Sequence, residues 1–292
     1  MTPAGHTRRA SSIRIFMADG DPNGLRLVEK SGWTGIVLVC SRADIVHILK
    51  RDELLSPGIY LLVGPPNDDS TVDMYIGESD DVRGRIKQHV GKNLDFWQQV
   101  IVATSKDDNL NKAHFRWLEA ELIKMAKMAA KTNVSNGNAG SAVKLSEPDT
   151  ADAASYLDEL LLLLPVLGVS SFEVPDDTVA TSETQYFIRG RDADARGHES
   201  GAGFVVSSGH ARAALVTSTP PWAVKLRARL VERGVLAVER NGRMAFTRPY
   251  TFDSPSAAAA VVLGRSANGL VEWKTELGET LKVMRDRQVS AL

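Results

Sequence analysis

Gly58-Ile59-Tyr60-Leu61-Leu62-Val63-Gly64 is followed by a Pro-Pro-Asn-Asp-Asp-Ser stretch at 65–70 and then by Val72-Asp73-Met74-Tyr75-Ile76-Gly77. β-Branched and aromatic residues crowd both runs, and the prolines, asparagine and aspartates between them cannot continue a strand. The pattern predicts a hairpin with a long tip. After Asp80 and Asp81, Val82, Ile86 and Val90 recur every four residues, which predicts a capped helix with a buried stripe ending near Gly91. Residues 100–104 read as a third strand. Residues 111–131 read as a long helix with Phe115, Leu118, Leu122, Met125, Ala126 and Ala129 on one arc.

Upstream, residues 13–17 and 35–40 read as strands and 41–49 as a short helix. Downstream come a Leu-rich helix at 150–164 and an acidic linker at 170–183. Strands at 185–189 and 203–206 and a basic helix from Pro221 to Arg233, ended by Gly234, open the C-terminal region. Strands at 235–240 and 243–247 meet at an Asn241-Gly242 turn. An Ala-rich helix at 255–263 follows, then an extended segment at 268–273 and a tail that frays. The fold class expected is α+β: a small three-stranded antiparallel sheet flanked by helices, plus a second small α+β domain. The divisions are an N-terminal β/α extension (1–53), the sheet domain (54–142), a helix and acidic linker (143–183) and a C-terminal α+β region (184–292).

The 292 residues suit two domains at about 150 residues each. With 43% hydrophobic and 24% charged residues, a disordered polymer or a fibre is excluded. The longest apolar run, 160–169, is broken by Pro165 and has about half the ~20 residues that a bilayer crossing needs. No membrane partner and no secretion are expected, so the reading is cytoplasmic. A single cysteine, Cys40, excludes an intrachain disulfide and a multi-cysteine metal cluster, and reads as a buried thiol. The net charge of −1 excludes a uniformly basic nucleic-acid coat, but charge is segregated. Residues 147–183 hold nine acidic side chains and no Lys or Arg, whereas the chain from Trp222 onward holds twelve basic against seven acidic.

Chemistry concentrates in the sheet domain. Tyr60 and Tyr75 lie on facing runs, where cross-strand packing is the plain alternative. Arg85 and His89 are four apart and share a helix face; an Asp81–Arg85 pair with a solvated His89 is the plain reading. Counting 100° per residue from Phe115, Leu122 falls at about 340°, Ala126 at about 20° and Glu119 at about 40°. Glu119 therefore lies inside the apolar arc, where a carboxylate needs a cation, whether an arginine or a metal.

The two tripeptides Gly58-Ile59-Tyr60 and Tyr75-Ile76-Gly77, with Arg85, His89 and a glutamate on the next long helix, resemble the GIY-YIG nucleases over residues 54–138. The resemblance implies metal-dependent hydrolysis of DNA phosphodiesters by an endonuclease. Tyr60 would be the general base or orient the attacking water, provided that neighbouring positive charge lowers its pKa from about 10. Tyr75 would be its partner on the facing strand, Arg85 would neutralise charge on the phosphoryl oxygens, and His89 would hold Tyr60 or a phosphate oxygen. Glu119 would carry one Mg²⁺ (or Mn²⁺). The family's asparagine falls on Asn133, Asn136 or Asn138, with Asn136 favoured. The loop between the tripeptides is long for the family, and Glu78 and Asp80 add negative charge beside a phosphate site.

Phe252-Asp253-Ser254-Pro255-Ser256-Ala257-Ala258-Ala259 and Gly264-Arg265-Ser266-Ala267-Asn268-Gly269 leading to Trp273 resemble a second family, DUF4357, over about 222–274. The resemblance implies substrate binding or sensing; helix caps are the plain reading of Ser256 and Asn268-Gly269. Arg83 and Lys87 beside the site, and Arg227, Arg229 and Arg265 in the C-terminal region with Arg233, Arg243 and Arg248, are the candidate nucleic-acid contacts. DNA is the expected partner and a homodimer is left open. The alternative is a nucleic-acid-binding or regulatory protein that retains the fold with weak turnover.

Overall fold

The computed structural model describes residues 10–68, 71–91, 94–107, 109–136, 143–173, 184–239 and 243–290. Asn138, the Asn241-Gly242 turn, the Asp69-Ser70 part of the hairpin tip and positions 174–183 of the acidic stretch lie outside the described residues. The chain forms two compact units. One comprises residues 1–65, 72–124 and 133–169, the other 66–71, 125–132 and 170–292.

The first unit is built on β1 (Ile13–Met17), β2 (Arg26–Lys30), β3 (Gly35–Ser41), β4 (Gly58–Pro66), β5 (Val72–Ser79), β6 (Gln99–Ser105) and β7 (Thr132–Val134), in the order β1-β2-β3-β6-β4-β5-β7. The expected three-stranded sheet is thus corrected to a seven-stranded one. β6, β4 and β5 are neighbours, but β3 pairs antiparallel along the other edge of β6, from Gly35 opposite Ser105 to Ser41 opposite Gln99. The reason lies in β3 itself. Its run from Ile36 to Cys40 is apolar without alternation and buried on both faces, so it belongs inside a sheet and not at an edge. Residues 1–53, read as an extension, contribute β1–β3 to this sheet. β2 escaped notice because charges flank its only fully buried residue, Val28. It is turned back on β1 by a loop in which the Asp19 carboxylate accepts from the Asp21 and Leu25 amides.

α1 (Ile45–Ile48), a 3-10 turn (Asp52–Leu55) and α2 (Val82–Gly91) contribute Ile48, Leu54, Val82 and Ile86 to a core shared with Leu38, Tyr60, Leu62 and Trp97. The strand period of two turns Ile59 and Leu61 to the opposite face. The Asp81 carboxylate accepts from the Gly84 amide at 2.9 Å and caps α2. The stripe of α2 is Val82, Ile86 and His89, not Val90, which is 39% exposed. A 3.6-residue period drifts off a strict repeat of four by the second turn. α3 (Lys112–Ala129) and α4 (Glu147–Leu163) meet through Phe115 and Tyr156, whose rings lie 5.9 Å apart, and the Tyr156 hydroxyl donates to the Thr104 carbonyl at 2.8 Å. Cys40 is buried, and desolvation pushes its thiol up to about 11.

The second unit holds β8 (Tyr186–Arg189), β9 (Asp194–Ser200), β10 (Gly203–Ala211), β11 (Leu236–Val238) and β12 (Met244–Phe246), ordered β11-β12-β10-β9-β8, with β13 (Tyr250–Phe252) also paired to β10. α5 (Pro221–Glu232), α6 (Pro255–Leu263), α7 (Gly269–Glu272) and α8 (Leu281–Ser290) complete it. Phe204, Val206, Leu230, Val261 and Trp273 form its core. Two expectations are corrected. Residues 268–273 are not extended: Asn268 caps the short α7 by accepting from the Leu270 amide at 3.1 Å. The tail does not fray from Leu281 to Ser290 but forms α8, anchored by the fully buried Leu281. No helix among the described residues is long and apolar enough to cross a membrane.

Candidate active site

The residues singled out on β4, β5 and α2 converge. Tyr60 is fully buried, and its hydroxyl lies 2.9 Å from His89 Nε2. The Tyr60 and Tyr75 rings are stacked at 6.0 Å, and the Tyr75 and His89 rings lie 4.7 Å apart. The Arg85 guanidinium lies close enough to both phenols for their oxygens to favour its charge, and it donates to Gln88 Oε1 at 2.9 Å. The two tripeptides explain this closeness. The Tyr60 ring lies against the α-carbon of Gly77, where any β-carbon would overlap both tyrosine rings. Only glycine permits that approach.

Glu119 reaches the end of β5. Its carboxyl group is pushed above the ordinary carboxylate range by burial, then by the negative charge of Glu78; the nearby Glu78 backbone amide, Arg116 and Arg85 oppose this. Burial likewise pushes Glu78 up, against Lys112 and Arg116. Arg116 approaches Glu78 at 3.5 Å, yet Glu78 Oε2 is sealed from solvent with no hydrogen-bond partner. The bland alternative of an Asp81–Arg85 pair is not what forms, since the Asp81 carboxylate is turned to the α2 amides.

Asn136 sits beside the second tripeptide, with its amide spent on the backbone. Its oxygen accepts from the Ile76 amide at 3.0 Å and its nitrogen donates to the Ile76 carbonyl. It extends the β7 edge of β5 and holds the strand that carries Tyr75. Asn133 donates to Asp73 at 2.7 Å, further from the tyrosines along β5.

The environment of Tyr60 departs from expectation. Burial, and then Tyr75, push the phenol far above its ordinary value of 10, and Arg85 offsets only part of this. The condition set for Tyr60 as a free general base, a pKa lowered by positive charge, is therefore not met: a buried phenolate is costlier than one guanidinium repays.

The basic residues do not form one free surface. Lys87 is exposed on α2, but Arg83 donates to the Arg51 carbonyl at 2.6 Å. Arg227 is corrected from a phosphate contact to a buried residue, 3% exposed, bonded to the Arg212 carbonyl and Met244 Sδ, with desolvation lowering its pKa. Its position four residues after Ala223 and three before Leu230, on the buried face of α5, draws it inward. Arg229 donates to Thr71, and Arg265 pairs with Glu272 at 2.7 Å.

The sequence marked Glu78, with Asp80, as charge that favours metal capture over DNA affinity, but did not mark Arg116 or Gln88. The signal was available: Arg116 stands three residues before Glu119 and Gln88 three after Arg85, spacings that share a helix face.

In the second unit the quoted motifs act as caps and close contacts. Ser254, not Ser256, caps α6 by accepting from the Ala257 amide at 3.1 Å, whereas Ser256 Oγ accepts from the Gly269 amide at 3.0 Å. A β-carbon on Gly269 would overlap Pro255, and the Trp273 indole donates to the Pro255 carbonyl at 3.0 Å. No curated protein and no solved structure matches the chain. One family model does match, over a wider span than 222–274 and without extending into 54–142: residues 186–285 form a domain of unknown function, DUF4357.

Proposed function

We propose that the first unit is a metal-dependent phosphodiesterase that cleaves DNA internally, as the GIY-YIG likeness implies, with the DUF4357 domain serving substrate binding or sensing. The observation that carries this reading is the Tyr60 hydroxyl 2.9 Å from His89 Nε2, with the Arg85 guanidinium near enough to feel both phenols. A tyrosine present only for packing needs neither.

The carboxylates fit a divalent cation. Glu78 Oε2 is buried without a partner, and Glu119 is desolvated beside it, so the pair is short of positive charge. Among the described residues no group of three or more His, Cys, Asp or Glu gathers. Two carboxylates completed by water and substrate oxygens suit Mg²⁺ or Mn²⁺. Glu119, aided by Glu78, would hold the ion, which supplies charge neutralisation at the phosphate.

With Nε2 of His89 unprotonated, the Tyr60 hydroxyl passes its proton to that nitrogen as its oxygen takes one from the attacking water. This avoids the buried phenolate that the site disfavours. Arg85 meets the charge growing on the phosphoryl oxygens, while Asn136 and Gly77 keep β5 and the Tyr60 ring in register. The elevated phenol supports the second reading, a nucleic-acid-binding protein with weak turnover. Purified protein incubated with supercoiled, linear and single-stranded DNA, with Mg²⁺, Mn²⁺ or chelator, decides between them. Metal-dependent nicking or linearisation upholds the proposal. Binding without any cut product leaves the second reading.

A further inference from the structure

The second unit holds a cleft that neither the proposed reaction nor the capping network uses. It is small and open to solvent, and its lining includes Lys131, Trp222, Leu226, Tyr250, Thr251 and Asp253. Lys131 is 8% exposed, and among the described residues its ammonium has no hydrogen-bond or ion-pair partner. Its stem is buried while the ammonium still reaches the solvent of the cleft, so it is open to an acceptor that enters there. Asp253 is exposed and its carboxylate likewise makes no hydrogen bond or ion pair among the described residues. The half-buried Trp222 adds an aromatic wall. β13 is held in place by its register on β10, Phe252 opposite Phe204 and Thr251 opposite Val205, so the strand that carries Thr251 into Asp253 is fixed. Asp253 also belongs to the Phe252-to-Ala259 stretch, in which capping accounts for Ser254 but not for Asp253.

We propose that this cleft binds the edge of one unpaired nucleobase, with the ring against Trp222, a ring carbonyl or nitrogen on Lys131 and an amino group on Asp253. One donor and one acceptor beside an indole match a base, which presents both kinds of group on a single planar edge and stacks on aromatic rings. A bare phosphate fits less well, because Asp253 would repel it. The assignment goes beyond the cleavage reading and does not rest on it.

The test uses the full-length protein and its tryptophan emission, excited beyond nucleotide absorption. The purine and pyrimidine nucleoside 5′-monophosphates are titrated singly, with ribose 5-phosphate as the base-free control. At least one nucleotide quenches saturably, ribose 5-phosphate does not, and Trp222→Phe removes the signal. Lys131→Met and Asp253→Asn each weaken the quenching about tenfold or more, as expected for a hydrogen bond to a charged group. Asp253 is exposed, so its variant keeps the fold even if Lys131→Met does not. Absence of quenching by every nucleotide, equal competition by ribose 5-phosphate, or unchanged affinity in Asp253→Asn overturns the proposal. Cleavage is not part of the readout, so failure here and failure of the hydrolase reading are told apart.

Discussion

The Tyr60 ring rests on the α-carbon of Gly77, so the last residue of the second tripeptide exists to let the last residue of the first come close. The hydroxyl then meets His89, and Arg85 meets both tyrosines. One glycine on β5 thus sets the position of a phenol on β4 and, through it, the geometry of a helix side chain.

Gly77→Ala should destabilise the first unit by about 1–3 kcal/mol, the usual cost of overpacking, and displace Tyr60 from His89. Thermal or denaturant unfolding reads the first effect. An unchanged midpoint would mean that the ring has room to move.

Arg85→Ala should abolish DNA cleavage while leaving DNA affinity within severalfold, because one phosphate contact is lost from a larger surface. Tyr60→Phe keeps the packing but removes the proton path, and should lower turnover by ~10²-fold or more. Both are read by plasmid nicking beside a gel-shift measurement. Wild-type cleavage by Arg85→Ala would take that residue out of the mechanism.

Glu119 and Glu78 both have carboxyl groups pushed above their ordinary value of 4.5. In the window between that value and the raised one, the folded protein binds more protons than the unfolded chain, so stability falls as pH rises and stays lower above it. Melting temperatures in chelator should accordingly drop as pH rises above 4.5, and added Mg²⁺ should restore them. Glu119→Gln should flatten this dependence, raise the metal-free melting temperature and remove metal-dependent cleavage. A melting curve indifferent to Mg²⁺ at neutral pH would return both glutamates to a structural role.

Asn136→Leu should cost about 1–3 kcal/mol, since it strips both partners from the buried Ile76 peptide. If Asn136 acted only on substrate, stability would be untouched and turnover alone would fall.

Arg227→Ala should destabilise the DUF4357 domain and leave the affinity of correctly folded protein for DNA unchanged, because its guanidinium holds the Arg212 carbonyl inside the domain. Unfolding and gel-shift titration, compared on the same preparation, separate the two effects.

Spacing alone determined much of this protein. β-Branched runs marked β4 and β5, although β4 runs on through the two prolines expected to end it; an uninterrupted apolar run marked β3, and helical periodicity put Arg85 and His89 on one face and Glu119 in an apolar arc. These are local properties, governed by the period of the backbone and by turn chemistry, and they survive without knowledge of any partner. Packing decided the rest. β2 and β9 became strands because a neighbour satisfied their backbones, which charged or glycine-containing sequences do not advertise. Arg227 went inside and the Tyr60 ring was buried, so the pKa of that phenol rose instead of meeting the condition that the sequence reading set. Asn136 spent its amide on Ile76, sixty positions away. Desolvation and contact between remote segments depend on how elements stack, and no reading of neighbours along the chain carries that information.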